Sequence, residues 1–238
     1  VAASPSSNTA GTLPLSFATA DVSTTGQPRM GDLAVGPNGE LYVTWTDYSS
    51  SPERIFSASD PNGLQSGLSF GAPALVSVSH LGYQRSIPAQ PQRGISASPN
   101  IDVDRSGGAF YGRVYVTYSE LGDGGPDDID NFLRFSTDGG LTWGSATRVN
   151  SANARSQFSP WLDVDPVTGA VIVMWRDTRT DGTNVATQIF LGLSIDGGIS
   201  ILQEAPLTNT PSDQGGTIEP TQDYGEHLGV AIINRTIQ

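Results

Sequence analysis

The stretch Ser136-Thr137-Asp138-Gly139-Gly140-Leu141-Thr142-Trp143 carries the fold prediction for this chain of 238 residues. It follows residues 132–135, an apolar run typical of a strand, and it has the composition of a tight hairpin turn. A short acidic side chain such as Asp138 accepts hydrogen bonds from turn amides, and glycines tolerate positive φ angles. We therefore expect a strand entering a tight turn here, with Trp143 covering the apolar edge of a sheet.

Outward from this turn, the same unit recurs along the chain. Strands that enter Asp/Gly turns are predicted at residues 55–63 and 190–198. Each of the three turns is also preceded by a pair of strands in which apolar and polar residues alternate, and these pairs lie at residues 31–47, 101–120 and 162–177. A weaker copy begins at residue 228. Each unit therefore has four short strands. A spacing of about 60 to 70 residues is in the range of a four-stranded propeller blade with long loops.

The residues Ser136, Asp138, Gly140 and Trp143 match the pattern Ser-x-Asp-x-Gly-x-x-Trp, which is known as an Asp-box. With its blade-like repeats, the chain resembles the Asp-box (BNR-repeat) sialidase-like β-propeller family over most of residues 28–238. The resemblance implies a secreted or cell-surface protein. It also implies that these four residues are structural and lie on the face away from the ligand site.

We predict an all-β fold, a β-propeller of four-stranded antiparallel blades, with three full blades and parts of a further blade. The blades fall at residues 28–80, 94–151 and 157–209, with a partial blade at 215–238. Residues 1–12 are interpreted as a linker or processed N-terminus, and residues 13–27 as a strand of a closing blade. The chain is thus either a fragment or an incomplete propeller, and open blade edges favour pairing between two chains.

Composition excludes several functions. The net charge is −12 and all 12 basic residues are arginines, which disfavours nucleic-acid binding and excludes catalysis by lysine. The chain has no cysteine, so thiol catalysis and zinc–thiolate sites are excluded. No apolar run approaches the roughly 20 residues that span a bilayer, so membrane insertion is not expected.

The candidate ligand face is formed by the loops after the second strand of each blade and by the connections between blades. Asp47, Glu120 and Asp177 end the second strand of three successive blades, so they are candidates for an acidic ring. The alternative is that each caps a loop through its own backbone. The other candidates on this face are Arg54, Arg176, Arg179, Tyr224 and Glu226.

A separate acidic cluster is a candidate metal site. Asp123, Asp127, Asp128 and Asp130 lie close together in one loop, where like charges repel unless a cation or solvent separates them. Calcium is the cofactor that such carboxylates favour, although the spacing is not that of an EF-hand. A solvated loop without metal is the alternative, and no organic cofactor is expected.

The sialidase resemblance implies a three-arginine cluster, an Asp acid/base and a Tyr–Glu pair. The chain departs from this pattern because Arg85-Ser86-Ile87-Pro88 interrupts the Arg-Ile-Pro signature, and no catalytic residue is assigned. The leading hypothesis is a non-catalytic propeller domain that binds glycan, extracellular protein or calcium. The alternatives are an exo-sialidase-like glycoside hydrolase whose catalytic residues are partly missing, and a structural spacer.

Overall fold

A computed structural model describes residues 19–23, 26–63, 67–151, 154–214, 223–225 and 228–237. Across these residues the chain is all-β, with sixteen strands and no α-helix. Accordingly, no helix in this part of the chain could cross a membrane. Most of the predicted strand at 13–27 lies outside the described residues, as do residues 215–222, 226, 227 and 238.

Three four-stranded antiparallel sheets follow one another along the chain, and each has its strands in chain order. This confirms the prediction of four-stranded antiparallel units. The first sheet contains β1 (Pro28–Val35), β2 (Leu41–Asp47), β3 (Glu53–Asp60) and β4 (Ala74–Ser79). A hairpin of β5 (Arg85–Ile87) and β6 (Gln90–Ile95) then precedes the second sheet, which contains β7 (Asn100–Val103), β8 (Val114–Leu121), β9 (Ile129–Ser136) and β10 (Thr147–Arg148).

The third sheet contains β11 (Gln157–Val164), β12 (Val171–Asp177), β13 (Gln188–Ser194) and β14 (Gln203–Pro206). A short hairpin of β15 (Ile232–Ile233) and β16 (Thr236–Ile237) follows it, within the region predicted as a partial blade. The first strands of neighbouring sheets touch, since β7 contacts both β1 and β11. We call β1, β7 and β11 the inner strands.

An aromatic pair recurs at the same register in all three sheets and explains where the core lies. The pairs join the second strand to the third: Trp45 with Phe56, Tyr118 with Phe132, and Trp175 with Phe190. In the second and third sheets these rings pack against apolar side chains of the preceding sheet. The core therefore consists of layers between sheets, as expected when each sheet buries both faces.

The Asp-box turn joins the second sheet to the first. The Asp138 carboxylate accepts hydrogen bonds from the Leu141 and Thr142 amides, at 3.1 and 2.9 Å. Trp143 packs against the first core layer, and its indole N–H donates to the Ser57 hydroxyl at 3.0 Å. These contacts make the turn a connection between sheets.

The turn at Asp196 in the third sheet repeats this geometry without a tryptophan. The Asp196 carboxylate accepts from the Ile199 and Ser200 amides, both at 3.0 Å. Ile201, which stands where the tryptophan would be, packs against the layer between the second and third sheets. The local hydrogen bonding therefore does not depend on the tryptophan.

Polar side chains of the inner strands link each sheet to the next. Asp32 accepts the Ile101 amide at 3.0 Å, and the Asn100 side-chain oxygen accepts the Leu162 amide at 2.7 Å. Asp102 then accepts the Val164 amide at 2.8 Å, and Asp163 accepts the Ile232 amide at 2.7 Å. A single series of side-chain-to-backbone bonds thus holds the inner strands and β15 in register.

One carboxyl of this series makes stability depend on pH. The pKa of Asp163 is raised to about 6, chiefly by burial and also by the neighbouring Asp102, although the hydrogen bond from the Ile232 amide lowers it. Because the folded pKa exceeds the unfolded value, the stabilisation by this group is complete below about pH 4 and is lost as pH rises through 6. Because Asp163 is only half-buried, solvent screens its interactions, and we expect the pH-dependent change in the free energy of unfolding to be about 1 kcal/mol.

We therefore expect Asp163→Asn to be more stable than the wild type at pH 7.5, with a melting temperature roughly 2–4 °C higher. Asparagine can still accept from Ile232 and carries no charge beside Asp102. Thermal unfolding followed between pH 5 and 8 measures the difference, which should shrink toward pH 5. A difference that is constant across this range contradicts the assignment.

Candidate functional site

The predicted acidic ring consists of carboxylates that are engaged by the protein backbone. Asp47 accepts the amides of Gln27 and Ser49, at 2.8 and 2.9 Å. Burial raises the pKa of Asp47, but these amides and the charge of Arg54 outweigh it, so the pKa lies below its usual range. Arg54, which pairs with Asp47 across β2 and β3, is exposed.

Glu120 occupies the equivalent position in the second sheet. It accepts the His80 amide with both oxygens, at 2.9 and 3.1 Å, and the Leu121 amide at 2.8 Å. Because His80 follows β4, this carboxylate ties the end of the first sheet to the second. Its contacts are thus partly with its own loop and partly with the preceding sheet, and the acidic ring stays a prediction.

Asp177 is the most enclosed of the three acids, with no exposed surface. The indole N–H of Trp175 donates to it at 2.8 Å, and the guanidinium Nε of Arg179 donates at 2.9 Å. Arg179 also pairs with Glu204 and lies over the Phe190 ring, 4.4 Å from its centroid. The geometry places Asp177 and Arg179 in a closed polar network between strands.

Tyr224 and Arg176 lie together near the β5–β6 hairpin. Tyr224 is buried in an apolar cluster with Ile87, Ile95 and Phe158, and the guanidinium of Arg176 lies 4.6 Å from its ring centroid. Burial lowers the pKa of Arg176. Glu226, predicted beside them, lies outside the described residues.

The four clustered aspartates do not assemble a metal site in the described residues. Asp130 is already engaged, by the Asn150 amide at 2.6 Å and by the Arg148 guanidinium at 3.3 Å. Asp128 is buried and accepts the Gly124 amide at 2.6 Å, whereas Asp123 is exposed and Asp127 half-buried. No group of three or more acidic or histidine side chains there is arranged to hold a metal. Calcium binding stays a prediction.

The feature that the sequence prediction missed is a repeated left-handed residue near the start of each inner strand. Met30, Ser98 and Ser159 have φ angles of 54°, 43° and 53°. A register shift accompanies two of them, between Arg29 and Asp32 and between residues 158 and 161. Non-glycine residues in this region are strained, and such strain and bulges concentrate near functional sites.

Two of these residues, Met30 and Ser98, line a small cleft where the inner strands meet, and Pro160 and Trp161, which follow Ser159, line it as well. The cleft has a volume of about 60 Å³, and we call it the inner-strand cleft. Its lining consists of Met30, Gly31, Asp32, Ser98, Pro99, Asn100, Pro160 and Trp161. The repeated Ser-Pro pairs at 98–99 and 159–160 were the available sequence signal.

Three side chains that line the cleft carry polar or aromatic groups. Asp32 and Asn100 are hydrogen-bonded to each other, and Trp161 is partly exposed beside them. Burial raises the pKa of Asp32, and it does so more than its hydrogen bonds lower it. A carboxyl, an amide and an indole together provide donors, acceptors and a flat apolar surface.

No protein-family model and no curated protein matches the sequence. Solved structures do match. An α-L-arabinanase from Penicillium chrysogenum in complex with arabinobiose is 18% identical, with a TM-score of 0.52, over 79% of this chain and 51% of that chain. An α-L-arabinofuranosidase from Fusarium graminearum is 15% identical, with a TM-score of 0.51, over 79% and 50%.

A protein of unknown function from Dyadobacter fermentans is also similar, with 15% identity and a TM-score of 0.51 over 77% of this chain and 52% of that chain. The likeness supports a β-propeller fold. This chain spans about half the length of these structures. At such low identity, the likeness concerns the fold alone.

Proposed function

We propose that this chain is a carbohydrate-binding domain whose ligand enters the inner-strand cleft, and that it binds without catalysis. The observation that carries the proposal is the set of groups in the cleft, Asp32, Asn100 and Trp161. Sugar hydroxyls pair with carboxylates and amides, and the apolar face of a sugar ring stacks on an indole. A few polar groups placed in a concave apolar site are typical of small-ligand recognition.

The size of the cleft limits what can enter it. Its volume of about 60 Å³ corresponds to roughly two water molecules. A hydroxyl or hydroxymethyl group fits this volume, whereas a whole sugar ring does not. We therefore expect one such group to enter beside the hydrogen-bonded Asp32–Asn100 pair while the ring lies against Trp161.

The engagement of the ring acids supports binding over catalysis. Asp47, Glu120 and Asp177 each accept hydrogen bonds from groups that hold strands or loops together. A glycosidase of the common kind needs two carboxyl groups on either side of the scissile bond. The three acids that the sequence made candidates have structural partners instead.

The solved structures that are similar support the choice of ligand class. Two of the three are enzymes named for arabinose-containing substrates, and one of these was solved with arabinobiose. We propose the same class of ligand, carbohydrate, for this chain, but not the enzymatic activity of those proteins. The two turns with equivalent hydrogen bonding, at Asp138 and Asp196, support assignment of the second and third sheets as Asp-box propeller blades.

A glycan array followed by calorimetry with the best ligand tests this proposal. We expect binding by the wild type and at least a tenfold weaker affinity for Trp161→Ala, equivalent to about 1.4 kcal/mol. Asp32→Asn keeps the size of the side chain and tests the same site if the first variant is unstable. Tyr111→Ala is the matched control, because Tyr111 is an exposed aromatic residue outside the cleft lining.

Several results would contradict the proposal. Equal affinities for the wild type, Trp161→Ala and Asp32→Asn would move the ligand elsewhere. Loss of affinity in EDTA would assign the recognition to calcium. Sustained turnover of aryl α-L-arabinofuranosides or sialosides would replace binding by hydrolysis.

A further inference from the structure

The first sheet exposes apolar positions that the other two sheets bury. Leu33, Ile101 and Leu162 are equivalent, since each pairs with the valine that is the third residue of the second strand in its sheet. Their exposed fractions are 52%, 4% and 2%. The two buried residues are covered by the sheet that precedes them. Among the described residues, no sheet precedes Leu33.

The third sheet shows the converse pattern on its opposite side. Val76, Val149 and Leu207 are equivalent. In each sheet, the same position of the third strand pairs with a residue of the fourth strand, and these three residues lie two places after that partner. Their exposed fractions are 2%, 2% and 45%. Val76 and Val149 are buried in the layers that the following sheet covers, and Leu207 is not.

The chain therefore presents two different apolar faces. The leading face of the first sheet contains Leu33, Trp45, Phe56, Leu75 and Val78. The trailing face of the third sheet contains Ile172, Leu191, Leu193, Leu202 and Leu207. The β15–β16 hairpin packs on the inner part of the trailing face through Ile232 and leaves a cavity of about 520 Å³ beside it.

An indole nitrogen on the leading face has no partner in the part of the chain that the structure describes. The Nε1 of Trp45 is buried there without a hydrogen bond. The equivalent Tyr118 hydroxyl is within 3.0 Å of the Ser77 hydroxyl of the preceding sheet, and the Trp175 Nε1 donates to Asp177. A buried donor without an acceptor is costly, and at the equivalent Tyr118 the partner comes from the preceding sheet.

We infer that the leading face of one copy of this chain packs against the trailing face of a second copy. The two faces are the two sides of an interface that the molecule already forms twice, between its first and second sheets and between its second and third sheets. The contact is head-to-tail, so each copy contributes a different face. Large exposed apolar patches of this kind mark interaction sites.

Light scattering after size-exclusion chromatography tests this inference. We expect the wild type to have a mass of at least two copies, and Leu33→Asp and Leu207→Asp each to have the mass of one. Both residues are about half exposed in the single chain, so both variants should fold, which far-UV circular dichroism checks. Leu141→Asp is the control, because Leu141 is 66% exposed at the tip of the Asp-box turn and belongs to neither face.

Mixing the two variants separates head-to-tail packing from other modes. Leu33→Asp keeps its trailing face and Leu207→Asp keeps its leading face, so an equimolar mixture should recover a pair of chains. A wild type that is monomeric at every concentration overturns the inference. An assembly that survives in Leu207→Asp alone also overturns it, because that result means that two leading faces meet.

Discussion

Replacement of Asp177 by alanine is expected to lower the free energy of unfolding by about 3–5 kcal/mol, because it removes one partner of a buried charged network. Asp177 has no exposed surface, and Trp175 and Arg179 donate to it at 2.8 and 2.9 Å. In the variant, the buried indole N–H loses its acceptor, and Arg179 keeps its other partner, Glu204. Urea unfolding followed by circular dichroism at pH 7 measures the change.

Asp47 provides the matched control because it ends β2 as Asp177 ends β12. Its carboxylate is partly exposed, it accepts two backbone amides, and the neighbouring Trp45 does not donate to it. Asp47→Ala should therefore cost about 1 kcal/mol. Asp177→Asn, which keeps an acceptor but loses the charge, should fall between the two. Equal losses for Asp47→Ala and Asp177→Ala would show that the buried network contributes nothing of its own.

The two positions also show what the sequence could predict. The repeated aromatic-x-acid ending of the second strand gave the register of each sheet, because alternation along a strand is a local property. Whether the acid faces a ligand or a neighbouring strand depends on contacts between residues far apart in the chain. Glu120, for example, contacts His80, which follows the last strand of the preceding sheet and which the repeat pattern does not relate to it.

The inner-strand cleft was missed for a similar reason. Asp32, Asn100 and Trp161 are equivalent by register, but they differ chemically, so no conserved letter marks them as a set. The left-handed conformation of Met30 has no signature in its residue type. The β5–β6 hairpin was likewise read as a connection, since its strands are short and its packing partners Ile129 and Phe158 belong to two other sheets.

Two glycines with the same backbone conformation provide the second large effect. Gly140 and Gly198 occupy equivalent positions in the turns of the second and third sheets, and both have φ angles of +84°. An alanine at either site must adopt the left-handed region, which costs roughly 1–2 kcal/mol. The backbone term is therefore equal for the two substitutions, and any difference comes from packing.

The packing around the two glycines differs. A Cβ at Gly198 would lie 3.1 Å from a ring carbon of Tyr115 and 3.2 Å from a methyl of Leu133, and both side chains are fully buried. A Cβ at Gly140 would meet its nearest neighbour, a ring carbon of Tyr42, at 3.8 Å. Overpacking of a buried layer costs about 1–3 kcal/mol.

We therefore expect Gly198→Ala to lower the free energy of unfolding by about 3 kcal/mol and Gly140→Ala by about 1 kcal/mol. Urea midpoints at equal slopes give the comparison. Since the Tyr115–Leu133 layer lies between the second and third sheets, the extra loss measures how rigidly those sheets pack. Equal losses at the two glycines would mean that this layer yields to a methyl group, and that the turns alone determine the effect.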